Sequence, residues 1–354
     1  MKSTTNLVFL TPGFAADERD TASIPSLQLY FLHLKRQHPE LNLQILSFQY
    51  PFREGEYEWN GIPVYSAGGG NRKINRLQTW RRILARLNRL RRNRQLDLVH
   101  SFWLNEATLA GLFFRMVTGT PMVATAMGQD VRRKNRYLPL LRLFSLDVIL
   151  ISVYQTRFLM KTGRMKIRKI IPFGPEPGFY EDQRENRETD ILGVGSLNTI
   201  KNFPEFIRIA GMLVPKFPSL RCRIIGEGAE RVTLERLILE NRLEANITLT
   251  GRKDYRDVQK EMGSARILLH TAEFEGQGLV ITEALAAGMY VVCFPVGIAA
   301  GPLSEKVRTG ETAGELAVHI SDLLSMKETD FSPDYPLRMK DTADGYLDIY
   351  RTFV

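Results

Sequence analysis

ARILLHTAEFEGQGLVITEALAAGMYVVC, residues 265–293, decides the reading of this chain. Ile267 to Leu269 is a short buried strand. Glu275-Gly276-Gln277-Gly278 is a loop. Leu279 to Ala287 is a helix stopped by Gly288, and Val291 to Phe294 is the next strand. Glu275 and Glu283 stand one in the loop and one on the helix. The glycines let backbone approach a ligand closely, and the helix N-terminus offers N–H groups to an anion. A carboxylate at each end would accept hydrogen bonds from hydroxyl groups. A phosphate flanked by two polyhydroxyl groups describes a nucleotide-sugar. The same residues also suit a plain packing unit with two solvated glutamates, and the stretch alone leaves both readings open.

The chain upstream repeats the pattern. Asp190 to Val194 reads as a strand, followed by a loop from Gly195 to Asn202 and a helix from Pro204. Lys201 sits near that helix start, where a cation and free N–H groups suit a diphosphate; an exposed loop lysine is the plainer alternative. Arg221 to Ile225 leads into Gly226-Glu227-Gly228 and a helix from Ala229 to Glu240. Ile247 to Leu249 leads into Gly251-Arg252-Lys253 and a helix from Tyr255 to Met262. Four such units in order give a parallel, doubly wound sheet.

At 354 residues the chain suits two domains. Cys222 and Cys293 lie in apolar strand-like runs and read as reduced core residues of a cytoplasmic protein. No apolar run approaches the length of a membrane span. Leu7 to Leu10 is too short for a signal peptide and fits a first strand. Charge is uneven: residues 1–175 hold 27 Lys+Arg against 11 Asp+Glu, a balance of +16, and the remainder carries −7. The basic half is therefore the one to face an anionic partner.

In that half, Ile24 to Gln37 reads as a helix and Leu43 to Phe48 as a strand. Glu56 to Val64 reads as a hairpin with Asn60-Gly61 at its turn, and Gly68-Gly69-Gly70 as a loop. Residues 72–94 carry ten Lys/Arg and no acid. Leu77, Trp80, Leu84, Leu87 and Leu90 recur at helical spacing, giving an amphipathic helix with an arginine-rich face. Two readings stand: a core-packed helix with a solvated face, or an element from Arg72 to Arg94 that meets an anionic membrane surface. Nucleic acid is not expected, because no motif and no interleaved aromatics accompany the arginines. His100 at the end of the strand from Leu96 is a candidate ligand contact or a satisfied structural histidine.

The spacing Glu275-x7-Glu283, followed by Ala284-Leu285-Ala286-Ala287-Gly288 and Val291-Val292, resembles the signature of retaining glycosyltransferase family 4, the group 1 glycosyltransferases. Thr271-Ala272 stands where that family often has Pro-Ser, and Gln277 where it has Phe. Thr125, Gly128 and Asp130 match its Thr-x-His-Gly-x-Asp, with Met127 in the histidine position. Phe102 replaces the second histidine of His-x-His, and Phe173 the asparagine of Ile-Pro-Asn-Gly. Lys201 matches the lysine of Gly-Arg-x4-Lys, with Ser196 at the arginine. One glycine, Gly13, stands where relatives have a pair.

The resemblance implies an α/β chain of GT-B fold: two Rossmann-like, doubly wound parallel-sheet domains facing a central cleft. The first would span 1–175 and bind the acceptor. The second would span 176–339 and bind the nucleotide-sugar. The last helix, about 340–354, would return to the first, and the boundary is expected within 175–189. It further implies donor contacts from Gly195, Ser196, Lys201, Gly226, Arg252, Glu275, Gly276, Gln277, Gly278, Leu279 and Glu283, with Glu275 on the donor sugar and Glu283 on the ribose. Glu275 and Lys201 are the residues expected to matter for turnover. Gly13, His100, Gly128 and Asp130 would line the acceptor side.

The implied reaction moves a sugar from a UDP-, GDP- or other nucleotide-sugar to an acceptor hydroxyl with retention. The acceptor would be a glycan or lipid-linked glycan of envelope or exopolysaccharide synthesis, met in the cytoplasm or at the inner face of the cytoplasmic membrane. The sequence contains no Asp-x-Asp, so no metal and no cofactor is expected. A non-catalytic polyanion- or membrane-binding protein on a degenerate scaffold is the alternative.

Overall fold

The computed structural model describes residues 5–21, 23–159, 163–175, 187–326 and 328–354. It divides into residues 1–173 with 339–354, and residues 174–338. Residues 176–186 of the expected linker lie outside the described ones.

The first unit runs β1 (Thr5–Gly13), α1 (Pro25–Gln37), β2 (Leu41–Tyr50), β3 (Glu54–Trp59), β4 (Ile62–Ala67), α2 (Arg76–Arg92), β5 (Leu98–Phe102), α3 (Glu106–Thr118), β6 (Met122–Ala126), α4 (Leu138–Leu141), β7 (Leu146–Leu150), α5 (Thr156–Leu159) and β8 (Met165–Ile170). Its sheet has the order β3-β4-β2-β1-β5-β6-β7-β8. All pairs are parallel except the β3–β4 hairpin. Asn60 and Gly61 turn that hairpin with φ of 47° and 74°, a geometry that asparagine and glycine tolerate. The glycine run at 68–70 is structural: a Cβ on Gly68 would lie 2.5 Å from the Glu54 nitrogen.

The helix expected over 72–94 runs from Arg76 to Arg92 and buries Leu87 and Leu90 of the expected stripe but not Leu77. Thr79, Ile83, Leu87 and Leu90 face inward, while Leu77 is 74% exposed. Thr79 can face inward because its hydroxyl donates to the Asn75 carbonyl at 2.9 Å. Part of the arginine face is packed, not solvated: Arg82 pairs with Glu54 at 2.6 Å and Arg86 with Glu56 at 2.7 Å, both on β3.

The second unit runs β9 (Thr189–Val194), α6 (Phe203–Leu213), β10 (Cys222–Ile225), α7 (Arg231–Glu240), β11 (Ile247–Gly251), α8 (Tyr255–Gly263), β12 (Ala265–His270), α9 (Leu279–Ala286), β13 (Tyr290–Cys293), β14 (Val307–Thr309) and α10 (Ala313–Ser325). Its sheet is parallel throughout, in the order β11-β10-β9-β12-β13-β14. Strand alternation splits the core in two. Ile191, Ile224, Ile267, Leu269 and Val292 pack with α6, α7 and α10. Leu192, Ile225, Leu268, Val291 and Cys293 pack with α8 and α9. Apolar residues on both faces of each strand are what a sheet covered on both sides requires. Cys222 and Cys293 are buried free thiols within these cores.

The last helix, α11 (Met339–Arg351), belongs to the first unit and closes its aromatic core. Tyr346 lies 5.2 Å from Tyr30 and 6.0 Å from Phe173 between ring centroids. Each unit is thus a Rossmann-like α/β sheet, as the GT-B resemblance implies. Among the described residues no helix is long and apolar enough to cross a membrane.

Candidate active site

In an open parallel sheet, ligands bind beyond the carboxyl ends of the strands where the strand order reverses. In the second unit that point lies between β9 and β12, the neighbours from which the chain winds outward in opposite directions. The loop after β9 carries Lys201 and the loop after β12 carries Glu275. Two hydrogen bonds tie these loops together: Thr271 Oγ1 donates to the Lys201 carbonyl at 3.0 Å, and the Glu273 N–H donates to the Ile200 carbonyl at 2.9 Å. Lys201 Nζ then donates to Glu275 Oε1.

A third side chain completes the cluster. His270, the last residue of β12, is 4% exposed and holds Nε2 3.3 Å from Glu275 Oε1. Burial pushes the His270 imidazolium down, so the ring is neutral. Burial also pushes Glu275 up, but His270 and the Lys201 ammonium outweigh it and hold the carboxyl at about 2. Glu275 is therefore ionised at any physiological pH and ready to accept from a hydroxyl.

Glycines set the backbone around this cluster. The Lys201 stem lies across Gly195, where a Cβ would meet Cε at 3.1 Å. Gly226 presses on Gly195 from the next strand end. Gly278 has φ of 85° and opens α9, which no side chain caps. In that first turn the Ile281 N–H donates to the Gly278 carbonyl at 2.9 Å, and the helix end still directs its positive dipole at the loop. The Ile298 N–H donates to the Gln277 carbonyl at 2.7 Å and fixes the loop from behind. Gly297, at φ of 58°, makes that approach possible, since its Cβ would stand 2.2 Å from the same carbonyl. Gly297→Ala should displace the 275–278 loop and cost about 1–3 kcal/mol. Gly301→Ala, with nothing within 4 Å of its Cβ, should leave both unchanged. A thermal-shift comparison of the two checks this.

Glu283, on α9, accepts from the Tyr255 hydroxyl at 3.2 Å, and burial raises its carboxyl above the ordinary range. Gln277 is buried, whereas Ser196 and Arg252 are exposed. Arg252 lies at the end of β11, three strands along the sheet from β12. His270, Thr271, Gly297 and Tyr255 join the site from positions to which the sequence assigns no role. For His270 a signal exists, as it ends the strand leading into the decisive loop. Nothing in the sequence marks Tyr255.

Of the residues expected on the acceptor side, His100 and Asp130 are held in internal hydrogen bonds. His100 is fully buried. Its Nδ1 lies 2.6 Å from the Tyr350 hydroxyl and its Nε2 2.8 Å from Thr125 Oγ1. Both ring nitrogens are satisfied within the core. Asp130 is likewise used internally, accepting from the N–H groups of Leu104 at 2.8 Å, Met127 at 3.1 Å and Gly128 at 2.6 Å. Gly13 ends β1 against Tyr50.

Burial lowers His100 from 6.5 to about 3. Its folded-state value lies below its unfolded value, so the stability it permits is complete above pH 6.5 and falls as pH drops towards 3. At pH 4.5 the loss should be about 2–3 kcal/mol. Urea unfolding at pH 7 and 4.5 should show this loss in the wild type and a smaller one in His100→Gln.

Residues 180–331 match the family described as glycosyl transferases group 1. The match lies within the second unit. A phosphatidylinositol N-acetylglucosaminyltransferase subunit from Homo sapiens is 30% identical over 134 residues, 37% of this chain and 28% of that protein. The chain spans less than a third of the length of the curated relatives it matches. Sucrose-phosphate synthase from Thermosynechococcus elongatus superposes with a TM-score of 0.77 at 16% identity, covering 98% of each chain. Anabaena HepE in complex with UDP and glucose superposes with a TM-score of 0.71 at 16% identity, covering 98% of this chain and 100% of that one. The likeness of these two is one of fold. The Lys201–Glu275–His270 cluster lies within the matched residues.

Proposed function

We propose that this protein is a retaining glycosyltransferase that moves a sugar from a nucleoside diphosphate to an acceptor hydroxyl, in the synthesis of an envelope or exopolysaccharide glycan. The observation that carries it is the Lys201–Glu275–His270 cluster at the switch point of the transferase sheet. HepE, of similar fold, was solved with UDP and glucose, and relatives matched in sequence transfer glucose or N-acetylglucosamine by name.

The chemistry turns on the charge that develops on the leaving diphosphate. Lys201 and the uncapped N-terminus of α9 offer fixed positive potential for it. Preorganised groups of this kind stabilise a transition state without reorganisation. Glu275 accepts from hydroxyls of the donor sugar, and Glu283 with Tyr255 holds the ribose. Donor binding must separate Lys201 from Glu275, so each partner exchanges an internal contact for one to the ligand. The neutral His270 stays beside Glu275, its Nε2 3.3 Å from Oε1, and is placed to donate to the carboxylate when Lys201 turns to phosphate. Attack comes from the front face, assisted by the leaving phosphate, and the reaction is independent of metal.

The exposed arginines of α2, Arg81, Arg89, Arg91 and Arg92, face an anionic membrane in this reading. Flotation with vesicles containing phosphatidylglycerol should capture the wild type and lose the variant with these four changed to Glu; equal capture removes the membrane from the account. For the reaction itself, UDP or GDP release is measured with EDTA present and the product's anomeric configuration is read by NMR. Turnover in EDTA with a product configuration matching the donor supports the reading. Inversion, or loss of turnover restored by a divalent metal, contradicts it.

A further inference from the structure

The first unit holds a cavity of about 210 Å³. Pro12 at the end of β1, Gln49 at the end of β2 and Asn105 at the start of α3 contribute to its wall. It therefore lies at the carboxyl ends of β1, β2 and β5, and β1 and β5 flank the point where this sheet reverses its order. Its volume is below the roughly 300–1,000 Å³ typical of sites that enclose a whole ligand. It suits one charged group of a larger molecule.

The charge around it is one-sided. Arg72, Lys73, Arg76 and Arg136 line it, against the single carboxylate of Glu106. That carboxylate is already engaged: Trp80 Nε1 donates to it at 2.7 Å, Arg76 Nε at 3.1 Å and Gln49 Nε2 at 3.3 Å. Arg76 also donates to the Tyr137 hydroxyl, which fixes its fork at the wall. No carboxylate among the described residues pairs with Arg72, Lys73 or Arg136. A surface that gathers cations with few counter-charges attracts anions. Arg136 donates to the Tyr137 hydroxyl at 2.9 Å, which leaves the Arg72 fork and the Lys73 ammonium for phosphate oxygens. On the same stretch, Ile74 is 88% and Leu77 74% exposed, so the apolar part of a lipid phosphate has a place beside the cavity.

We propose that this cavity binds a phosphate group carried by the acceptor substrate. The inference rests on the glycosyltransferase reading for the word acceptor, but the site itself stands on the first unit alone. The phosphate belongs either to a soluble sugar phosphate or to a lipid headgroup, and both present the same dianion or diester to the same cations.

The test is equilibrium dialysis with radiolabelled probes: glucose 6-phosphate, dihexanoyl phosphatidylglycerol kept below its micelle concentration, and glucose as the uncharged control. Wild type is compared with the variant carrying Arg72→Gln, Lys73→Gln and Arg136→Gln. These side chains are at the surface, and thermal unfolding confirms that the variant folds. At least one phosphate-bearing probe should bind the wild type, with a loss of tenfold or more in the variant. Binding of glucose 6-phosphate assigns a soluble acceptor, and binding of the lipid alone assigns a headgroup. If neither phosphate probe binds, if the variant binds them equally, or if glucose binds as well as its phosphate, the proposal is overturned. UDP binding is measured on both proteins alongside. UDP binding without phosphate binding sinks this proposal and leaves the donor site standing, and the converse sinks the donor site alone.

Discussion

Glu275→Gln should lower transfer from the nucleotide-sugar by about 100- to 1,000-fold, the scale on which a single preorganised contact to a transition state is felt. The substitution keeps shape and removes charge. Glu275 is held at about 2 by its surroundings, so the wild-type carboxylate is fully ionised and the change removes a whole acceptor charge at pH 7. The loss should fall on kcat, because sugar hydroxyls need that acceptor most as charge develops at the anomeric carbon. UDP affinity should be retained or increased, since Lys201 loses its internal partner and is released to the diphosphate. Steady-state kinetics beside UDP titration separate the two. A variant with normal kcat would show that Glu275 merely positions Lys201. The matching change, Lys201→Ala, should act on the other side, weakening UDP itself.

The second large effect is on folding. A Cβ on Gly226 would lie 1.8 Å from the Gly195 carbonyl oxygen, an atom of the backbone that no side-chain rotation can move away. Two strand-end hydrogen bonds lie at this point: Gly195 N–H to Ile225 and Gly226 N–H to Gly251, both at 3.0 Å. Gly226→Ala must separate these strand ends, at a cost of about 3 kcal/mol or more. That is a large share of the roughly 5–15 kcal/mol that a domain has in hand. Trp59, Trp80 and Trp103 all lie in the first unit. Far-UV circular dichroism should therefore show a transition at lower urea in Gly226→Ala, with the tryptophan signal shifted less. An unchanged dichroism transition would mean that the turn yields more easily than its geometry indicates.

The second unit is legible in sequence because parallel strands covered on both faces are short apolar runs and because glycine turns punctuate them. Its strands fall within a residue or two of where the runs place them, apart from β14, whose three residues carry too little pattern. Lys201 and Glu275 are legible as chemistry near a helix start. Their pairing is not, because the two loops meet only through the fold. The first unit is harder to read. The α2 stripe misleads because Leu77 looks like core and Thr79 does not, and a side-chain bond to Asn75 reverses that order. Helix α3 escapes the reading altogether, and β8 shows only as the approach to a turn. His100 resembles a ligand contact because it follows apolar Leu98 and Val99. Its partners Thr125 and Tyr350 are 25 and 250 residues away, beyond any local pattern.

The most direct test of the account is a thermal-shift screen of UDP, GDP and their sugars, run with EDTA on the wild type and on Lys201→Ala. A ligand that binds only the folded state raises the melting temperature by mass action. One nucleoside diphosphate should raise it in the wild type, and the shift should disappear in the variant. No shift with any nucleotide, or an equal shift in both proteins, would contradict a donor site built on Lys201 and Glu275.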